Sequence, residues 1–138
     1  MNIASTQVSS REVLNSRAKV LLADSSPEIP RKERIAAFKE FGFAVFPALN
    51  LQQARSRCKP GRFDLIAVVI GEDPNAALQV CDEILARDPQ QRLIAVFSPA
   101  LSLPERSYAV PDDADRLREK IEALFEARMS QPDSAVAA

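Results

Sequence analysis

Leu65-Ile-Ala-Val-Val-Ile70 is the stretch that most constrains what this chain can fold into. An unbroken aliphatic run of that length, without polar alternation, reads as a strand buried on both faces, as in the middle of a parallel sheet. Gly71, Glu72 and Asp73 then return the chain to water at the strand's carboxyl end. Ligand sites of open α/β sheets form at that end. The step from Ile70 to Gly71-Glu72-Asp73 is therefore the first candidate site.

The rest of the chain supplies what such a strand needs around it. Lys19 to Ala23 reads as a first buried strand, and Asp24-Ser25-Ser26-Pro27 turns out of it. Pro30 suits the first turn of a helix. In that helix Ile35, Phe38 and Phe41 line one face, Arg31, Lys32, Glu33, Lys39 and Glu40 the other, and Gly42 stops it. Phe43 to Phe46 is a short second strand ended by Pro47. Asn50 caps a second helix, with Gln53 placed for a reciprocal bond, and Lys59-Pro60-Gly61 closes it.

After the central strand, Asp73-Pro74 opens a third helix with Ala77, Leu78, Cys81, Ile84 and Leu85 at helical spacing. Leu93 to Phe97 is a fourth strand reaching Ser98, and Ser107 to Val110 a brief fifth. Asp112, Asp113 and Asp115 give a negative start to a last helix, whose inward stripe is Leu117, Ile121, Leu124 and Phe125 and which ends near Met129. Residues 1–17 read as a flexible arm, 18–129 as one domain, and 130–138 as a disordered tail. Strands alternating with helices imply right-handed crossovers and a five-stranded parallel sheet covered on both faces, a three-layer doubly wound α/β domain.

Several function classes fall away on composition. The net charge of −1 offers no bulk attraction to nucleic acid or to an anionic membrane. No apolar run approaches the roughly 20 residues of a membrane span, and the amino terminus lacks the pattern of a signal peptide. A cytoplasmic location is expected. The absence of histidine removes His-based triads and most zinc or iron sites. Two cysteines, Cys58 and Cys81, cannot build a zinc site alone or staple a secreted domain.

Val20-Leu-Leu-Ala-Asp24-Ser25-Ser26-Pro27, Phe63-Asp64-Leu65-Ile66, Leu93-Ile-Ala-Val-Phe-Ser98 and Tyr108, in this order and spacing, resemble the receiver domain of bacterial two-component response regulators. The likeness covers about Lys19 to Phe125. It implies a flavodoxin-like (CheY-like) sheet of order 2-1-3-4-5. It also implies a phosphoryl site at the carboxyl edge, where one Asp takes the phosphoryl group and two acids help to hold Mg²⁺. A hydroxyl and a lysine then contact the attached group, because a carboxylate cannot accept a dianion without positive charge beside it.

Matched residue by residue, the resemblance implies that this chemistry has been given up. The acceptor position falls on Val69 counting from Asp64, or on Ile70 counting back from Pro74. Asp24 remains of the acidic pair, but its neighbour is Ser25. Val110-Pro111 stands where Lys-Pro belongs, and Ser98 alone keeps the family's type. Asp24, Ser25, Gly71, Ser98 and Val110 are thus a remnant pocket around a degenerate acceptor position, Val69. Pro99 to Arg106 is too short for the helix that joins the family's fourth and fifth strands, so that helix is expected to be lost or much shortened.

Other motifs have structural readings. Glu72 and Asp73 lie in the turn, with Asp73 as a helix cap. Asp24 reads as a turn residue bonding nearby backbone N–H groups, with a weak metal role beside Glu72 or Asp73 as the competing reading. Cys81 and Arg87 have the Cys-x5-Arg spacing of phosphatase loops, but helix-forming residues between them tie up the N–H groups a phosphate needs. Cys58, near a helix end, reads as exposed and oxidisable. Arg55, Arg57, Lys59 and Arg62 read as a solvated basic face.

The expected function is a non-phosphorylatable receiver-like module of two-component-type signalling. It would be no enzyme and need no cofactor or resident metal, with output through binding, since no effector domain follows Met129. Its partner would be a kinase, a regulator or a second copy of itself, and neither nucleic acid nor membrane. The expected partner surface is Leu101, Leu103 and Tyr108. The alternative is a small-ligand or nucleotide-binding α/β module using the carboxyl edge of the sheet.

Overall fold

The short apolar runs pair side by side into one sheet in the computed structural model, which describes residues 17–137. The chain order is β1 (Lys19–Ala23), α1 (Glu28–Glu40), β2 (Ala44–Ala48), α2 (Leu51–Arg57), β3 (Leu65–Val69), α3 (Pro74–Arg87), β4 (Leu93–Phe97), β5 (Ala109–Pro111) and α4 (Ala114–Ala137). The sheet order is β2-β1-β3-β4-β5 with every pair parallel, the flavodoxin-like arrangement expected from the sequence. The N-terminal arm expected over residues 1–17 lies, Arg17 apart, outside the described residues.

Alternation along the strands sends successive side chains to opposite layers. Leu21, Ala23, Ile66, Val68, Ile70 and Ala95 face a layer made by α2 and α3, where Ala54, Leu78, Cys81 and Ile84 meet them. Val20, Leu22, Leu65, Ala67, Val69 and Val96 face α1 and α4, against Phe38, Leu117 and Ile121. All five residues of β3 are buried, which is why no polar alternation survives there. Each fully buried Val, Leu or Ile contributes about 1.5–3 kcal/mol.

Helix ends follow local chemistry. Gly42, at φ 105°, ends α1, because a left-handed residue is cheapest without a Cβ. Gly42 N–H donates to Lys39 O at 3.0 Å and Phe43 N–H to Phe38 O at 3.1 Å, both bonds of a Schellman cap. The Phe38 and Phe43 rings, 6.1 Å apart, supply its hydrophobic contact. Asn50 Oδ1 accepts Gln53 N–H at 2.8 Å, whereas Gln53 Oε1 accepts from Leu49 N–H and not from Asn50 itself. Asp73 caps α3 by accepting Ala76 N–H at 3.1 Å.

Three boundaries differ from expectation. β2 continues through Pro47, which an edge strand tolerates because its missing N–H would face outward; the Arg57 guanidinium covers Pro47 O at 2.6 Å. β5 covers Ala109–Pro111 and not Ser107 to Val110, since it pairs only along the β4 register Ala95 to Phe97. α4 runs to Ala137, past Met129 and over the stretch expected as a disordered tail.

No helix joins β4 to β5, as the length of that segment predicts. Leu103 from the segment packs partly buried against the α2/α3 layer in its place. Among the described residues no helix is long and apolar enough to cross a membrane.

Candidate functional site

The carboxyl ends of β1, β3 and β4 surround a cleft of about 740 Å³. The sheet topology makes it, because β1 and β3 are adjacent while their connections leave to opposite faces. The structure brings the remnant-pocket residues Asp24, Ser25, Gly71 and Ser98 to this cleft, together with Val69 and Ile70. Val110 is not among its walls; it is buried in the α1/α4 layer, 4% exposed. Val69 and Ile70 are themselves 8% and 6% exposed, and they point to opposite layers. The two candidate acceptor positions thus both present hydrocarbon. Gly71 sits close to the β1 turn, where an added Cβ would lie 3.4 Å from Ser25 Oγ. Ser98 Oγ accepts Ala100 N–H at 3.3 Å.

Asp24 is the charged residue buried among the described residues, at 1% exposure. Its Oδ1 accepts Ser26 N–H at 2.9 Å, the local turn bond expected from the sequence. Its Oδ2 accepts from Arg34 Nη1 at 3.0 Å. The other arm of the same guanidinium, Nη2, donates to Asp112 Oδ2 at 2.7 Å. Asp112 follows β5 and donates its own N–H to Phe97 O at 2.7 Å. Burial works against the Arg34 charge, but the hydrogen bond to Asp112 and the fields of Asp24 and Asp112 outweigh it, so its pKa is raised. Arg34 Nε is buried without a hydrogen-bond partner.

Arg34 was not among the expected site residues, although the sequence carries its signal. It stands four positions before Phe38 and seven before Phe41, on the apolar stripe of α1, where a charge needs a partner. Among the described residues no three His, Cys, Asp or Glu side chains converge to hold a metal ion. Asp73, offered as a co-ligand for Asp24, is engaged in its helix cap.

A second polar cluster lies at the foot of β5. Tyr108 is 7% exposed, which removes it from the partner surface expected of it. Its ring is buried in the α2/α3 layer while its hydroxyl donates to Asp82 Oδ1 at 2.6 Å. Arg106 donates to the same carboxylate, through Nε at 3.3 Å and Nη2 at 3.0 Å. These bonds, Arg106 first and Tyr108 second, lower the Asp82 pKa. Burial, then the bond to Asp82, pushes the Tyr108 phenol well up. Of the other two surface candidates, Leu101 is 37% exposed at the cleft wall and Leu103 is half-buried.

Two further expectations change. Cys58 is 5% exposed and not open to solvent, because the end of α2 packs against α3; Arg87 Nη2 donates to its sulfur at 3.5 Å. Arg87 thus serves Cys58 and not Cys81, whose thiol burial pushes up to about 12. The basic group around α2 is partly used within the fold: Arg55 pairs with Glu83 at 3.0 Å, Arg57 bonds Pro47 O, and Arg62 lies over the Phe63 ring.

No protein-family model matches the chain, and no curated protein matches it. Solved structures do. The response regulator TrrA from Thermotoga maritima, in complex with Mg²⁺ and BeF, superposes with a TM-score of 0.68 at 22% identity, covering 78% of this chain and 98% of that one. The fold is that of a receiver domain. A structure of the histidine kinase ThkA in complex with TrrA matches with a TM-score of 0.64 at 23% identity, over 78% of this chain and 97% of that one. The anti-anti-sigma factor PhyR from Bartonella quintana matches with a TM-score of 0.67 at 15% identity, over 94% of this chain but 56% of that longer one. The cleft described above lies at the carboxyl edge of that fold, with the aliphatic Val69 and Ile70 among its walls.

Proposed function

We propose that this chain is a receiver-like protein-interaction module of two-component-type signalling that works without being phosphorylated, by binding and not by catalysis. The observation that carries the reading is the buried hydrocarbon of Val69 and Ile70 at the end of β3. Hydrocarbon offers no nucleophile, and with Val110 buried in the β5 position no ammonium stands ready for a phosphoryl dianion. The kinase complex of TrrA and the anti-anti-sigma factor PhyR, which share the fold, make a signalling protein the natural partner class. A kinase, a regulator or a second copy of this chain fits that class, and Leu101 is the exposed apolar residue we place in the contact.

Incubation with Mg²⁺ and acetyl phosphate or beryllofluoride tests this. Unchanged mass and unmoved Ser98 and Gly71 amide signals are expected. A stable phosphoryl adduct, or a saturable shift at Ser98, would sink the reading.

The cleft volume favours a second reading, a small-ligand module at the same edge. About 740 Å³ lies within the ordinary range for small-molecule sites. No Lys or Arg is among the cleft walls, which turns this reading away from nucleotides and towards ligands without phosphate. A thermal-shift screen discriminates, since a ligand that binds only the folded state raises Tm.

A further inference from the structure

A carboxylate buried as deeply as Asp24 is strongly destabilising unless it is paired. On a phosphoryl edge a divalent cation does much of that pairing. Here the positive charge comes from inside the chain. Arg34 is planar and forked, so one guanidinium can reach two carboxylates at once. It places Nη1 at 3.0 Å from Asp24 Oδ2 and Nη2 at 2.7 Å from Asp112 Oδ2. Nη1 also donates to Ser26 Oγ at 3.2 Å, and Arg31 Nη1 to Ser26 O at 3.1 Å, so the turn after β1 is held from α1 at two points.

The positions joined are far apart in the sheet. β1 and β5 are separated by β3 and β4, and Asp112 is tied to β4 through Phe97 O. One side chain of α1 therefore links the ends of β1, β4 and β5. Both oxygens of Asp24 are already engaged, Oδ1 by Ser26 N–H and Oδ2 by Arg34. A cation approaching Oδ2 would meet the Arg34 charge already 3.0 Å from that oxygen and be repelled by it.

We infer that Arg34 is a resident counter-ion: it takes the place of a divalent cation at Asp24 and, through Asp112, fixes the carboxyl edge in one arrangement that needs no metal. The inference rests on the phosphorylation-independent reading of the same edge. Its test is separable from that reading, because it follows cation binding and not phosphoryl transfer.

The experiment uses the full chain with Mn²⁺ as a paramagnetic probe in amide NMR and Mg²⁺ against EDTA in thermal melts. In the unaltered protein, Mn²⁺ leaves the Ser25 and Ser26 signals sharp and Mg²⁺ leaves Tm unmoved. In Arg34→Met, Tm in EDTA falls, Mg²⁺ restores part of the loss, and Mn²⁺ broadens Ser25, Ser26 and Asp112. Arg34→Lys keeps a charge but loses the fork; it is expected to fold, with amide shifts at Phe97 and Asp112 larger than at Ser26. Selective Mn²⁺ broadening of Ser25 and Ser26 in the unaltered protein would overturn the inference. So would an Arg34→Met variant whose Tm ignores Mg²⁺. If Arg34→Met does not fold, Arg34→Lys decides: unmoved Phe97 and Asp112 signals refute the link to β5.

Discussion

Arg34 and Asp112 are 78 positions apart in sequence, yet their side chains meet at 2.7 Å across the carboxyl edge of the sheet. The same guanidinium pairs with Asp24, the buried acid at the end of β1. The edge pairs its buried charges while Val69 and Ile70 present hydrocarbon beside them. Several measurable consequences depend on that pairing and on the inward anchoring of Tyr108.

Arg34→Met should destabilise the fold by about 3 kcal/mol, the lower end for breaking a buried pair, because the Arg34 side chain is 20% exposed. Adding Asp24→Asn to it should recover part of that loss, since the unpaired buried charge goes with it. Urea melts of the two single variants and the double variant measure the coupling. Additive losses would show that the bridge contributes nothing to stability.

Val69→Asp places a carboxylate at the candidate acceptor position without supplying the chemistry. The new group replaces a side chain 8% exposed and has no lysine from β5 to answer it. The expected outcome is a lower Tm at pH 7 that partly recovers on acidification, as the carboxyl protonates and its burial cost falls. Intact mass after acetyl phosphate treatment should stay unchanged. Phosphoryl uptake would show that a carboxylate at this position is enough for the chemistry.

Tyr108→Phe should cost about 1 kcal/mol, the net worth of one hydrogen bond. Asp82 keeps its Arg106 partner and is 46% exposed at the side chain, so little desolvation is left uncompensated. Chemical denaturation measures this. A much larger loss would mean that the hydroxyl holds more than the Asp82 contact.

Stability should fall at alkaline pH. A thiol or phenol whose pKa is raised by folding stays neutral in the native state while the unfolded chain ionises. Its stabilisation is therefore complete below the unfolded value and is lost as pH rises towards the folded one. Cys81 opens that window at 9.0 and closes it at about 12, through burial first and the Asp82 charge second. Tyr108 adds to it from 10.0 upward, in the same direction. Denaturant midpoints across this range test the slope. The chain holds one tyrosine and no tryptophan, so tyrosinate absorbance follows Tyr108 alone. Ionisation of Tyr108 at its ordinary pKa in the native protein would refute the account.

Leu101→Ser should leave Tm nearly unchanged while weakening capture of a signalling partner, because the side chain is 37% exposed. Leu103→Ser should instead lower Tm, since Leu103 packs against the α2/α3 layer. Equal Tm losses in both variants would remove Leu101 from the partner contact.

Sheet class, the helix stop at Gly42 and the missing helix between β4 and β5 were legible in the sequence, because each is settled by neighbours a few positions away. Leu65 to Ile70 could be read as a doubly buried strand, and Gly42 as a helix stop, without knowing what lay across the sheet. The aliphatic character of the candidate acceptor position was equally plain, whichever of Val69 and Ile70 holds it. Tertiary structure alone decided what the remaining charges do. Arg34 finds Asp24 and Asp112, and Tyr108 turns inward to Asp82, only once the five strands have assembled into the sheet. Charge pairing acts at a few ångströms in space, and position along a chain does not fix which groups come that close. The sequence put hydrocarbon at the carboxyl end of β3; folding brought the Arg34 guanidinium to the buried Asp24 beside it.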